Sequence, residues 1–314
     1  MNKRKLHHYI RPGRVASLGL LLFLLLVVLL TAAPSKVQAM PQIGHYFNGA
    51  NGLMSSVPMP PGFTYVNNLF MYNTDTIKDA QGKSFSPGNI DIFVQAFTPI
   101  WTSKTKILGA TYSCMALIPL QNVALAITDF KEESIWGLGD ILILPIWLTW
   151  EQESLFLTLR YGFFAPTGQY GLGRDDNIGL GYWTHQAVAG LTWFFGSDHT
   201  WHVSLLNRLE LHTRQQGHDL WPGTNAVMEW GLGKTLVEGL DVGLTGYTNF
   251  QVTSESGSSD DVDSSKYRVF ALGAEVSYHV PDTHLLLKLR CNREFAARNH
   301  TEGWASALTI AYKF

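Results

Sequence analysis

The stretch "VSLLNRLELHTR" (203–214) holds the densest set of chemistry-bearing side chains in this sequence. Arg208, Glu210, His212 and Arg214 stand two residues apart, with Ser204 on the same parity and His202 just before it. A hydroxyl beside an imidazole is the start of a nucleophile–base pair, but such a pair needs a third group to orient the base. No motif supplies one here. The histidines at 185, 199, 202, 212, 218, 279, 284 and 300 show no metal-ligand spacing such as HExxH. "SESGSSDDVDSS" (254–265) carries Glu255, Asp260, Asp261 and Asp263, oxygen ligands suited to a divalent cation. It lacks the full pattern of a calcium loop and reads as a solvated loop. Cys114 and Cys291 fall on apolar parity and read as small hydrophobes. The expectation is therefore a protein without catalytic, metal or cofactor residues.

The spacing of two carries more information than the residue types. In a strand, successive side chains point to opposite faces. One face of 203–214 is then mostly apolar, and the other presents a row of ionisable groups. Twelve such runs follow one another: 63–73, 88–101, 106–118, 136–150, 155–164, 177–195, 201–214, 224–235, 240–253, 266–280, 284–295 and 303–314. Most exceed the usual soluble strand of roughly 5–6 residues. They suit a tilted membrane strand, which needs about 9–11 residues plus its ends. Runs 136–150 and 177–195 are apolar on both faces in part, so parity alone does not orient them.

The connections give a separate check. Long ones (74–87, 119–135, 165–176, 215–223, 254–265, 296–302) alternate with short ones (102–105, 151–154, 196–200, 236–239, 281–283). An even-stranded antiparallel barrel with both termini in the periplasm requires this. In lipid every backbone polar group must be paired, so a sheet must close on itself. A β-propeller, the soluble competitor, fits four short strands into about 40–45 residues, where this chain has two long ones. Trp101, Trp136, Trp150, Phe195, Trp201, Trp304 and Phe314 lie near run ends, where an interfacial aromatic girdle would. The fold expectation is an all-β, transmembrane, up-and-down antiparallel barrel of about twelve strands.

Three segments follow. Residues 1–39 read as a signal peptide: Lys3, Arg4, Lys5, Arg11 and Arg14, then the apolar stretch 18–30, then Val37 and Ala39 at a cleavage site. Export to a Gram-negative outer membrane follows. Its removal takes six Lys/Arg and no Asp/Glu from totals of 23 and 25, leaving a formal charge of −8. That argues against nucleic acid as a partner. Residues 40–62 are irregular but hold Tyr46, Phe47, Leu53, Met54 and Met59, apolar enough to fold into the barrel mouth as a plug. Residues 63–314 form the barrel, with lipid as its outer partner.

By parity the lumen is lined by Arg160, Arg208, Glu210, His212, Arg214, Asn225, Glu229, Asp241, Tyr247, Asn249, Gln251, Glu275, Lys288, Arg290, Asn292 and Glu294. Both signs occur. They either brace a filled interior through mutual pairing or form a polar constriction that selects solutes.

Several stretches resemble an outer-membrane family named for the meta-pathway of phenol degradation, the SphA-like transporter family. They are "HYFNGANGL…PMPPGFTYVNN" (45–68), "WGLGDILILP" (136–145), "RYGFFAPTGQY" (160–170), "NIGLGYW" (177–183), "GLDVGLTGYTNFQVT" (239–253), "ALGAEVSYHV" (271–280) and the terminal "YKF". The resemblance implies a barrel that passes small hydrophobic or aromatic solutes by passive uptake, and a terminal Phe314 read by the barrel-assembly machinery. It supplies no catalytic or binding residues. The alternatives are an adhesion or structural barrel with a filled lumen and, second, a lipid-modifying outer-membrane enzyme.

Overall fold

The computed structural model describes residues 44–85, 88–127, 133–172, 174, 177–258 and 265–314. The expected signal peptide and the acidic residues Asp260, Asp261 and Asp263 lie outside the described residues. The chain forms the strands β1 (Gly62–Lys78), β2 (Ser84–Phe85), β3 (Gly88–Ile107), β4 (Ala110–Ile127), β5 (Glu133–Leu138), β6 (Ile141–Gln152), β7 (Leu155–Ala165) and β8 (Thr184–Phe195). Then come β9 (Trp201–His212), β10 (Leu220–Trp221), β11 (Asn225–Val237), β12 (Leu240–Gln251), β13 (Ser256–Gly257), β14 (Arg268–His279), β15 (Leu285–Arg298) and β16 (His300–Lys313).

Twelve of these form a closed antiparallel barrel. Each pairs with its neighbour in sequence, and β16 returns to β1 from Thr64↔Lys313 to Lys78↔His300. The C-terminus completes the seam: the Phe314 N–H donates to Phe63 O at 3.0 Å, and their rings sit 5.6 Å apart. Closure leaves no unpaired edge for lipid to meet.

The molecule is inside-out relative to a water-soluble fold. Leu159, Leu209, Leu211, Leu244 and Leu272 are exposed, whereas Arg208, Glu210, Glu229, Glu275, Arg290 and Glu294 are buried. Along β9 burial alternates residue by residue, with His202, Ser204, Leu206, Arg208 and Glu210 inward. An outward surface of this kind suits acyl chains better than water. Trp101, Trp201 and Phe314 are exposed near one end of the strands, and Trp136 and Trp304 near the other. Both rims of the apolar band thus carry the amphipathic rings that favour the headgroup level.

Four details depart from the sequence expectations. The connection expected at 102–105 is strand, and the turn is Leu108–Gly109 instead. Both turn residues have positive φ, 52° and 76°, the geometry whose twist matches a two-residue hairpin. The connection 296–302, expected to be long, is absorbed into β15 and β16, with only Asn299 between them. Positive φ at Ala296 and Asn299 turns the chain there. Residues 177–183 are loop, not strand. Finally, run 136–150 is two strands, and the β6–β7 register shifts between Ile143 and Ile146. Pro145 sits in that shift, where a nitrogen without hydrogen cannot join the ladder. Leu142 and Leu144 face inward before the bulge, and Trp147 and Thr149 after it. The change of parity is why alternation failed to orient this run.

Candidate functional site: a lumen half filled and half open

Residues 44–61 precede β1, and their polar atoms are held by inward side chains of the wall. Tyr46 Oη donates to Glu229 at 2.6 Å, and the Asn51 N–H donates to the same carboxylate at 2.9 Å. The Leu53 N–H donates to Glu275 at 3.2 Å. Glu275 also accepts from Arg290 Nε at 2.6 Å and forms an ion pair with Lys288 Nζ at 3.2 Å. Those two cations reach back to the segment: Arg290 donates to Gly49 O, and Lys288 to Leu53 O at 2.9 Å. Arg160 donates to Ser55 O. Asn249 Nδ2 donates to Asn48 Oδ1 at 3.2 Å. A carboxylate closed in by two cations and a backbone amide recovers in pairing what it loses in solvation. Gly52 passes so close that a Cβ there would run into the Glu275 carboxylate and Arg290.

Deeper bracing joins wall to wall. Glu294 receives Tyr72 Oη at 2.7 Å, Tyr247 Oη at 2.8 Å and the Gly303 N–H at 2.9 Å. Thr245 donates to Asn292 at 2.9 Å, and Gln251 Oε1 accepts from the Tyr267 N–H at 3.3 Å. Glu210 is buried beside Asn225 and Gly44. Asp241 receives Thr235 at 2.5 Å and lies 3.5 Å from His202. Arg214 corrects the parity reading. β9 ends at His212, so Arg214 stands in the following loop, exposed, 3.6 Å from Asp219.

At the far end, one carboxylate gathers three chain segments. Asp140 accepts from the Gly168 N–H, the Leu180 N–H and His45 Nε2, each at 2.8 Å. His45 Nδ1 is 2.7 Å from Thr184 Oγ1, which is 2.7 Å from His212 Nδ1. The His45 ring stacks on Phe164 at 4.9 Å and meets the edge of Tyr182. The order hydroxyl–imidazole–carboxylate imitates a hydrolase triad. But Thr184 is fully buried and shared with a second imidazole, so the row ties the N-terminal segment to loop 166–183. Ser204 and His202 are engaged elsewhere: Ser204 Oγ is 2.9 Å from Thr192 Oγ1, and His202 faces Asp241. Neither His45 nor Asp140 stood out in the sequence, because 95 residues separate the partners.

The remaining lumen is an apolar cavity of about 1030 Å³. Its wall runs over β1, β3, β4 and β6: Val66 and Phe70; Ile92, Val94, Ala96, Thr98 and Ile100; Met115 and Leu117; Leu142, Leu144 and Trp147. Tyr170, Ile178 and Leu180 of the long loop cap one end, and Val57 and Met59 line the other. Five successive inward positions of β3 follow the cavity, a strand length of roughly 26 Å at about 3.3 Å per residue. Here the apolar parity of β3 faces inward and Asp91 is exposed, the reverse of β9. The flanking strands β7, β8, β9 and β15 bring Arg160, Gln186, Arg208 and Lys288 to the cavity. Among the described residues no group of three metal-ligating side chains converges, and Cys114 and Cys291 are free thiols.

One solved structure shares this architecture, and others match more distantly. The COG4313 outer membrane channel from Pseudomonas putida F1 superposes with a TM-score of 0.73 at 15% identity, over 83% of this chain and 98% of that one. The β domain of the Bordetella autotransporter BrkA gives 0.49 at 13% identity, over 81% and 100%. The translocator domain of the autotransporter NalP from Neisseria meningitidis gives 0.46 at 10% identity, over 82% and 90%. No curated protein matches the sequence. The family model described as putative MetA-pathway of phenol degradation matches residues 74–310, and the chain belongs to that family.

Proposed function

We propose that this barrel is an outer-membrane channel through which small hydrophobic or aromatic compounds pass down their gradient. The observation that carries the reading is the cavity. A space of about 1030 Å³, walled by aliphatic and aromatic side chains, runs along one side of a closed barrel. An apolar wall with a few convergent polar groups is the chemistry of a site for small hydrophobic molecules. The structural neighbour from Pseudomonas putida is itself named an outer membrane channel, which supports the reading.

In this reading residues 1–39 direct export and 63–314 form the wall. Residues 44–61 are a plug, held through Glu229, Glu275, Lys288 and Arg290. Passage makes and breaks no covalent bond and needs no cofactor. The lumen charges brace the plug and leave the apolar half as the path. Outer-membrane lipid covers the exposed leucines, and Phe314 at the seam is the element presented to the assembly machinery.

The test is uptake of a labelled aromatic compound by cells with and without the gene. The channel reading expects faster initial uptake with the gene, and slower uptake again in Leu117→Trp, which puts an indole into the cavity. Equal rates in all three would leave a filled structural barrel as the better reading.

A further inference from the structure

We infer that the permeating solute is an amphiphilic organic anion, an apolar body bearing a carboxylate, and that Arg160, Arg208 and Gln186 receive its head. The inference rests on the channel reading and names its substrate class. β7, β8 and β9 set Arg160, Val188 and Arg208 side by side, Arg160 opposite Val188 and Val188 opposite Arg208. At about 4.8 Å between strands, the two arginine backbones lie roughly 10 Å apart across the intervening valine. All three residues line the cavity, as does Gln186, one pleat away on β8.

Two cations stand at one level of an apolar cavity, and among the described residues no carboxylate of the wall forms a direct ion pair with either; Glu229 and Glu210 act on them only from farther off. Glu229 is close by, but its oxygens are taken by Tyr46 and Asn51. Glu210, two residues from Arg208 on β9, does not line the cavity. Each guanidinium is instead held by a face or an edge. Arg160 lies 4.1 Å over the Trp147 ring and donates to Ser55 O. Arg208 lies 3.5 Å over the Tyr46 ring and donates to Gln186 Oε1. Those contacts leave Arg208 Nε and Gln186 Nε2 buried without any hydrogen-bond acceptor. The two residues are only 6% and 1% exposed. Buried donors without acceptors are costly, and of the cavity-lining residues Thr98 and Trp147 carry others. A carboxylate entering the cavity supplies acceptor oxygens to Arg208 Nε and Gln186 Nε2 and a charge to both guanidinia. Its hydrocarbon body then lies against Leu144, Trp147 and Phe164 on the neighbouring strands.

The head also sets selectivity. A neutral alcohol of the same shape offers one acceptor oxygen and no charge, and an ammonium head offers no acceptor and meets two like charges. Discrimination against an analogue lacking a required hydrogen-bonding group is stronger than discrimination by size.

The test compares 4-phenylbutyrate, 4-phenylbutanol and 4-phenylbutylamine on the purified, folded full-length barrel in detergent, by titration calorimetry. A counterflow assay in proteoliposomes uses the same three compounds. The acid is expected to bind at least about tenfold more tightly than the alcohol, with the amine weakest. Arg208→Gln and Gln186→Leu are each expected to reduce that acid–alcohol ratio toward one. Gel mobility of the unheated barrel confirms that each variant is folded. If Arg208→Gln does not fold, Gln186→Leu decides alone. Equal binding of acid and alcohol by the wild type overturns the anionic head but leaves the channel standing. An unchanged ratio in the folded variants overturns the assigned residues. Failure of all three compounds to bind or exchange overturns the channel reading itself.

Discussion

Replacing Asp140 by alanine removes one acceptor from three donors at once: the Gly168 N–H, the Leu180 N–H and His45 Nε2, each at 2.8 Å. A hydrogen bond to a charged group contributes about 1.5–3 kcal/mol net when buried. The freed loop amides can turn to water, so about 1 kcal/mol each is the defensible figure. The two bonds to loop 166–183 sum to about 2 kcal/mol, roughly thirtyfold in the equilibrium for opening that loop. Amide exchange reads that equilibrium directly, because local opening sets the rate at each N–H. In Asp140→Ala the Gly168 and Leu180 amides are expected to exchange roughly thirtyfold faster in detergent micelles. Amides in the middle of β12 are expected to keep their wild-type rates. Asp140→Asn keeps one acceptor oxygen and is expected to fall between. Exchange at Gly168 and Leu180 within threefold of wild type would refute the idea that this carboxylate holds the loop.

Other consequences are equally specific. Leu159 is 50% exposed on the outer face, so Leu159→Arg is expected to cost about 2–4 kcal/mol in a lipid-vesicle folding titration. A water-facing position would show almost none of that cost. Glu275 is the common partner of Arg290, Lys288 and the Leu53 amide, so Glu275→Ala strands two cations. The expected loss is about 3–5 kcal/mol by urea unfolding, together with faster proteolysis within 44–61. Glu229→Gln keeps an acceptor for one of its two partners from the N-terminal segment. It is expected to raise proteolysis of that segment less than Glu275→Ala does, and the opposite ranking would count against the assigned anchors.

Much of the wall was legible because its two environments differ. Where the lumen is polar, as along β9 and β15, leucine alternates with arginine and glutamate. Where the lumen is apolar, alternation yields a period without a sign. Ile90, Val94 and Ala96 on β3 read as lipid-facing and are buried inside. The β6 bulge at Pro145 added a change of phase that no fixed period can follow. Arg214 kept the right parity one step after the strand had ended. The tie between His45 and Asp140 had no local signal, since neither residue has an unusual neighbour in sequence. The unpaired donors of Arg208 and Gln186 are visible only once β8 lies against β9.

The account stands or falls on whether solute moves through the open half of the lumen. The direct measurement is the initial rate of uptake of a labelled aromatic compound by cells carrying the wild-type gene, the Leu117→Trp gene or none, at matched amounts of folded barrel. The account predicts a rate that rises with the wild-type protein and falls back with Leu117→Trp. A rate indifferent to the gene, or wild-type uptake undiminished by the indole, would contradict it.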